Sequence, residues 1–198
     1  MGGTGTGTLS RIDQAILLRL VHMASGGLAA DLVRLLLAVA RHGAVWIVLA
    51  ALVFILGGRR GRRLAITTGA ALGMAAVLAE LILMGLVERA GPSTVLGSAV
   101  HVTVPNPAPF SFPCAVAALS FAAAPLLARL GSAWAVSCWL LATGIALAAV
   151  AAGQCFPSDA IGGLLTGVLC ARITVWALGE PMRRRGRMRP PARRPAGG

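Results

Sequence analysis

Apolar residues run through this chain in long blocks separated by short polar punctuation, and the blocks are of two kinds. Over residues 9–24 polar and apolar positions alternate at helical spacing, with Ile12, Ile16, Leu20 and Met23 on one stripe. That is the pattern of an amphipathic helix lying in a membrane interface. A second short helix, from about Asp31 to Arg41, has the same character: Asp31 near its start suits the positive helix end, and Arg34 and Arg41 can snorkel from an apolar body. From residue 43 onward the blocks are apolar on every face. A span needs roughly 20 apolar residues to cross a hydrocarbon core of about 30 Å. Five segments qualify, at about 43–58, 64–88, 112–130, 132–152 and 158–179. The first has only some 16 residues before Arg59, so the preceding helix is a candidate to continue into it.

The punctuation between blocks carries its own information. The connection from Arg89 to Ser111 exceeds twenty residues and holds Pro92, Pro105, Pro107 and Pro109; a structureless loop of that length usually has a function or covers a site. The stretch from Gly153 to Gly163 reads as a junction: Pro157 as a helix stop, Ser158 or Asp159 as acceptor for the free N–H groups of the next helix, then small residues that allow close helix approach. The chain therefore divides into an N-terminal tail with amphipathic helices over 1–42, a transmembrane bundle over 43–180, and an Arg/Pro-rich tail over 181–198. That tail cannot build a core and is expected to stay disordered and be drawn to anionic lipid head groups.

Composition agrees with a membrane protein. Hydrophobic residues make up 57% of the 198, and the mean hydropathy is +0.82, beyond the range of soluble domains. The basic residues are 18 arginines and no lysine, against 6 acids, for a net charge of +12. Nucleic acid is excluded as the partner, because the arginines punctuate apolar runs rather than form a binding face. They orient the spans instead: 12 lie on the face that holds Arg59 to Arg63, Arg129 and the C-terminal tail, against 5 on the other. The first face is expected to be cytoplasmic. The N-terminus, the proline-rich loop and the Gly153 junction then share the extracytoplasmic side. Met1 to Thr8 lacks the basic start and apolar core of a signal peptide. Cys114, Cys138, Cys155 and Cys170 show no CxxC or Cys/His spacing, so no metal or other cofactor is expected.

Three stretches together resemble the type 2 phosphatidic acid phosphatase (PAP2) superfamily of membrane lipid phosphatases, over about residues 10–180. Its signatures are Lys, six residues, Arg-Pro; then Pro-Ser-Gly-His; then Ser-Arg, five residues, His, three residues, Asp. Cys155-Phe156-Pro157-Ser158-Asp159 looks like the His-Tyr-Pro-Ser-Asp run of the third. Asp159 matches, Cys155 stands for the nucleophilic His, and Ala149 for the phosphate-binding Arg. In the second, Pro113 matches while Cys114, Ala115 and Val116 replace Ser, Gly and the general-acid His. In the first, Pro92 matches, Gly91 replaces Arg and Met84 replaces Lys. The resemblance implies an all-α polytopic fold, a PAP2-like helical bundle with about five transmembrane helices and two N-terminal amphipathic helices. It also implies that Cys114 and Cys155 approach each other across the old pocket. A disulfide there and two thiols packed as small hydrophobes both remain open, the second being the plainer.

Phosphoester chemistry needs fixed cations around the equatorial oxygens, a nucleophile, and an acid for the leaving group. Met84, Gly91, Ala149 and Val116 supply none of these. The expected function is thus a PAP2-like membrane pseudoenzyme, a lipid-binding or accessory subunit of a polyprenyl-phosphate or cell-envelope enzyme. Its expected partners are membrane lipids, polyprenyl phosphate among them, and a membrane protein or a second copy of the chain. The alternative is an active lipid phosphatase or phosphotransferase with a rearranged site that uses Cys155 or His101. Glu80 inside a span, Arg172 inside another and His101 in the loop are the candidate lipid or partner contacts, with a Glu80 to Arg172 pair open. Glu88 and Arg89 suit a local ion pair, Asp159 an N-cap, and Trp46, Trp134, Trp139 and Trp176 packing or interfacial roles.

Overall fold

The computed structural model describes residues 4–97 and 110–178. His101, Pro105, Pro107, Pro109 and the C-terminal arginines lie outside the described residues. Within them the regular elements are helical, and Ala90 and Phe110 meet in one antiparallel bridge that closes the base of the long loop. The helices are α1 (Thr4–Met23), α2 (Gly27–Ala40), α3 (Ala44–Leu56), α4 (Gly58–Val87), α5 (Pro92–Leu96), α6 (Ala115–Leu127), α7 (Ser132–Ala151) and α8 (Pro157–Ala177).

Four apolar segments are long enough to cross a membrane: Gly27–Leu56, Gly58–Val87, Ser132–Ala151 and Pro157–Ala177. The fifth expected span is the shorter helix α6, prolonged by a 3-10 turn to Leu130. The second amphipathic helix begins at Gly27 rather than near Asp31, so Asp31 falls past the first turn and pairs with Arg34 at 3.2 Å on an exposed face. Its apolar character does run on into α3, but the backbone does not. His42 and Gly43 take left-handed conformations, at φ 51 and φ 74, and break the helix there. At Gly43 the lack of a side chain removes the strain of that turn.

Helix α6 is the hub. It packs against α4, α7 and α8 and touches α3, and Ala117, Ala118, Ala122, Ala123 and Ala124 have no exposed surface. Small residues suit this position: inside a membrane, helices associate through close packing rather than through a hydrophobic drive. The closest approach is to α8, where Gly163 and Gly167 form a GxxxG pair. A Cβ on Gly163 would lie 2.5 Å from the Cys114 carbonyl, and one on Gly167 would overlap the Ala118 carbonyl. Trp46 of α3 is fully buried against the same hub and donates its Nε1–H to Ser120 Oγ at 3.0 Å. Its role is packing; Trp134, Trp139 and Trp176 keep exposed surface.

Helix α1 lies on α7 and α8 with a stripe of Asp13, Leu17, Val21 and Ala24 buried. The stripe singled out by the sequence pattern points outward instead: Ile12, Ile16 and Met23 are exposed. The two stripes are one residue, about 100°, apart on a helix with 3.6 residues per turn. A polar residue heading the buried one is what hid it.

Replacing Gly167 by leucine is expected to lower the melting temperature of the detergent-purified protein sharply. Overpacking at a backbone contact typically costs about 1–3 kcal/mol or more. Gly144→Ala, whose Cβ meets open space, should leave the melting temperature near that of the parent.

Candidate functional site

The site is assembled from the C-terminal end of α4, the segment before α6, and the turn joining α7 to α8. That turn is built differently from a simple helix stop. Helix α7 ends at Ala151, Gly153 turns at φ 74, and Gln154 N–H returns to the Ala149 carbonyl at 3.0 Å. Pro157 then opens α8 at its first position, which suits a residue without an N–H. The N-cap is therefore Phe156, and Asp159 sits at the third helical position. The Asp159 carboxylate reaches back to accept the Phe156 N–H at 3.2 Å, while the Asp159 N–H donates to the Phe156 carbonyl at 3.0 Å. Asp159 thus caps the helix from inside the first turn rather than from the N-cap.

Its second carboxylate oxygen accepts from Arg89, and this contact organises the site. One terminal nitrogen of Arg89 donates to Asp159 and, at 2.7 Å, to Ser158 Oγ; the other donates to Asp13 of α1 at 2.9 Å. The guanidinium carbon lies 4.6 Å from the centroid of the Phe156 ring, within cation–π range. Asp13 also accepts the Ser158 backbone N–H at 3.0 Å and the Ser158 hydroxyl. A carboxylate carried by α1 therefore occupies the N-terminal end of α8, where the helix dipole and free N–H groups favour an anion. The expected pairing of Arg89 with Glu88 is not formed. Glu88 ends α4 in a left-handed conformation, φ 45, and is exposed, so the chain turns and sends Arg89 the other way.

Five of the positions quoted for the resemblance lie around one space. Met84, Pro113, Cys114, Val116 and Cys155 line one cavity, together with Ser111 and Gln154, and its volume is about 40 Å³. That space admits water, which needs about 10–15 Å³ of such volume per molecule. Gly91 and Pro92 open the short helix α5, and Ala149 is buried in the last turn of α7; none of the three lines the cavity. The Cys155 and Cys114 sulfur atoms lie 2.8 Å apart. In the reduced state the adjacent Cys114 sulfur, burial, and the neighbouring Asp159 and Asp13 carboxylates hold the Cys155 thiol well above its ordinary value.

Glu80 and Arg172 are not brought to this site. Both are exposed on their helices, and neither forms an ion pair among the described residues, where the pairs are Arg34 to Asp31 and Arg89 to Asp13 and Asp159. Among the described residues no group of three or more His, Cys, Asp and Glu gathers as metal ligands would. Asp13 escaped the sequence reading. The available signal was that it is the one acid within α1, yet in an interfacial helix a lone acid reads as a wetted residue.

Fold and site together define a helical membrane protein whose small pocket is lined mostly by apolar and sulfur-bearing side chains. The crystal structure of Aquifex aeolicus LpxE is similar to this chain with a TM-score of 0.70 at 24% identity, covering 82% of this chain and 94% of that one. The chain accordingly shares the helical fold of that structure. No family model matches the sequence, and no curated protein does.

Replacing Arg89 by methionine leaves Asp13 and Asp159 facing each other without a cation. Breaking a buried pair costs about 3–5 kcal/mol. The Arg89 side chain keeps 33% exposure, and solvent screening brings the expected loss to about 2 kcal/mol. Melting temperatures of the purified variants check this, and Asp13→Asn in the Arg89→Met background should recover part of the loss.

Proposed function

We propose that the chain is a non-catalytic member of the PAP2 type, retained as a lipid-binding or accessory subunit in a membrane. The observation that carries this reading is the state of Arg89, the one cation of the described site. It is engaged by Asp13 and Asp159, so two carboxylates of the chain face one guanidinium. A phosphoester entering there would meet net negative charge rather than the cationic cradle that phosphoryl transfer needs. The remaining requirements fail with it. Cys155 is buried against Cys114, Val116 cannot donate a proton, and the cavity they line holds about 40 Å³.

The arginine distribution supports a topology with the site and the N-terminus extracytoplasmic and the C-terminus cytoplasmic. The partner of this reading is a membrane enzyme that handles a lipid phosphate such as polyprenyl phosphate, or a second copy of the chain. Glu80 and Arg172 are its candidate contacts, since a charge exposed on an apolar span invites a partner.

Purified protein in detergent, supplied with phosphatidic acid or a polyprenyl phosphate, is expected to release no phosphate above a heat-denatured control. Turnover that disappears in Cys155→Ser would establish the active alternative instead. Affinity purification in mild detergent should recover a lipid-phosphate enzyme or a dimer, and a chain that elutes alone as a monomer counts against the accessory role. Reporter fusions at the two ends check the topology: only the C-terminal fusion should read as cytoplasmic.

A further inference from the structure

We propose that Cys114 and Cys155 are the two halves of a disulfide that fastens the start of α6 to the turn before α8. The two sulfur atoms lie 2.8 Å apart, and the residues are 5% and 1% exposed. Carbon atoms in ordinary contact stay about 3.5–4.0 Å apart, and sulfur is the larger atom, so the fold presses this pair closer than two unbonded thiols rest. The surrounding backbone leaves little room to separate them. Cys114 N–H donates to the Asp159 carbonyl at 3.0 Å, and the Cys114 carbonyl accepts from Ala118 at 2.9 Å. Cys155 is fixed on both sides, by Gln154 N–H on the Ala149 carbonyl at 3.0 Å and by Phe156 N–H on Asp159 at 3.2 Å. Cys138 and Cys170 are a contrast within the same chain: both are buried inside spans, and neither has a thiol beside it.

The chemistry is thiol–disulfide exchange with a donor disulfide of the kind that oxidising compartments maintain. One cysteine, as thiolate, attacks a sulfur of the donor, breaks its S–S bond and forms a mixed disulfide. The other cysteine attacks the mixed disulfide at the protein sulfur, which forms the Cys114 to Cys155 bond. The donor leaves as a dithiol with the two electrons and the two protons. Because both sulfurs are buried once the helices close, the exchange belongs to assembly, before α6 and α8 pack together. The bond does not rest on the non-catalytic reading, since a phosphate site that uses some other nucleophile keeps it equally well. It does remove Cys155 as a nucleophile.

The test counts thiols on the full-length protein. Membranes are quenched in acid, the protein is denatured, and a polyethylene-glycol maleimide is added with and without prior reduction. Without reductant two labels are expected, on Cys138 and Cys170, and after reduction four. In Cys138→Ala/Cys170→Ala the expected counts are none and two, with the chain running as a monomer on a non-reducing gel. Four labels without reduction, or two in the double variant, overturn the proposal, as does a disulfide-linked dimer. The phosphate-release assay is read separately, so the fate of this bond and that of the proposed function are distinguishable.

Discussion

A single guanidinium ties together three parts of the molecule that lie far apart in the sequence. Arg89 follows the end of α4, Asp159 and Ser158 open α8, and Asp13 comes from α1. A charge-assisted hydrogen bond is worth roughly twice a neutral one, and at the edge of a membrane few other forces are directional. The apolar stripe of Leu17 and Val21 can hold α1 against the bundle, but such a stripe slides along its neighbours with little penalty. The contact of Asp13 with Arg89 and the Ser158 N–H fixes its register. The same contact decides what the site can bind, because the anion-favouring end of α8 already holds a carboxylate of the chain.

Several residues around the site answer demands of the fold rather than of any chemistry. Pro157 starts α8, Asp159 closes the first turn of that helix and receives Arg89, and Gly163 lets α8 reach α6. Each has a structural role that would persist with no substrate present. Met84, Val116 and Cys155, which the resemblance sets at positions of charge or proton transfer, meet in a mostly apolar lining. Among the described residues no buried side-chain polar atom is left without a partner.

Much of the architecture was legible because hydrophobic blocks of span length are hard to mistake. The α7 and α8 boundaries and the placement of Cys114, Cys155 and Asp159 near one another follow from block lengths and from the signature resemblance. What escaped depended on direction rather than composition. Asp13 heads a buried stripe that looks solvated, since one helical step separates it from the apolar Ile12 stripe. Arg89 stands beside Glu88, and adjacent opposite charges suggest a local pair; the left-handed turn at Glu88 sends them apart. Helix α6 appeared to be a span like the others, although its alanines lie at the centre of the bundle. A uniformly apolar helix does not reveal which of its faces is covered.

The direction of Arg89 is set further back along α4. Residues Val77–Leu83 form a π turn, in which hydrogen bonds reach one residue further than in an α-helix. One extra residue advances everything after it by about 100° around the helix axis. Glu80, inside the turn, is left exposed on the outer surface, while Met84 faces the cavity and the chain leaves the helix pointing Arg89 at α8. A regular helix through the same residues would present a neighbouring face to the pocket. The irregular turn thus separates an exposed carboxylate from the pocket-facing Met84, and the left-handed turn at Glu88 then sends Arg89 to α8.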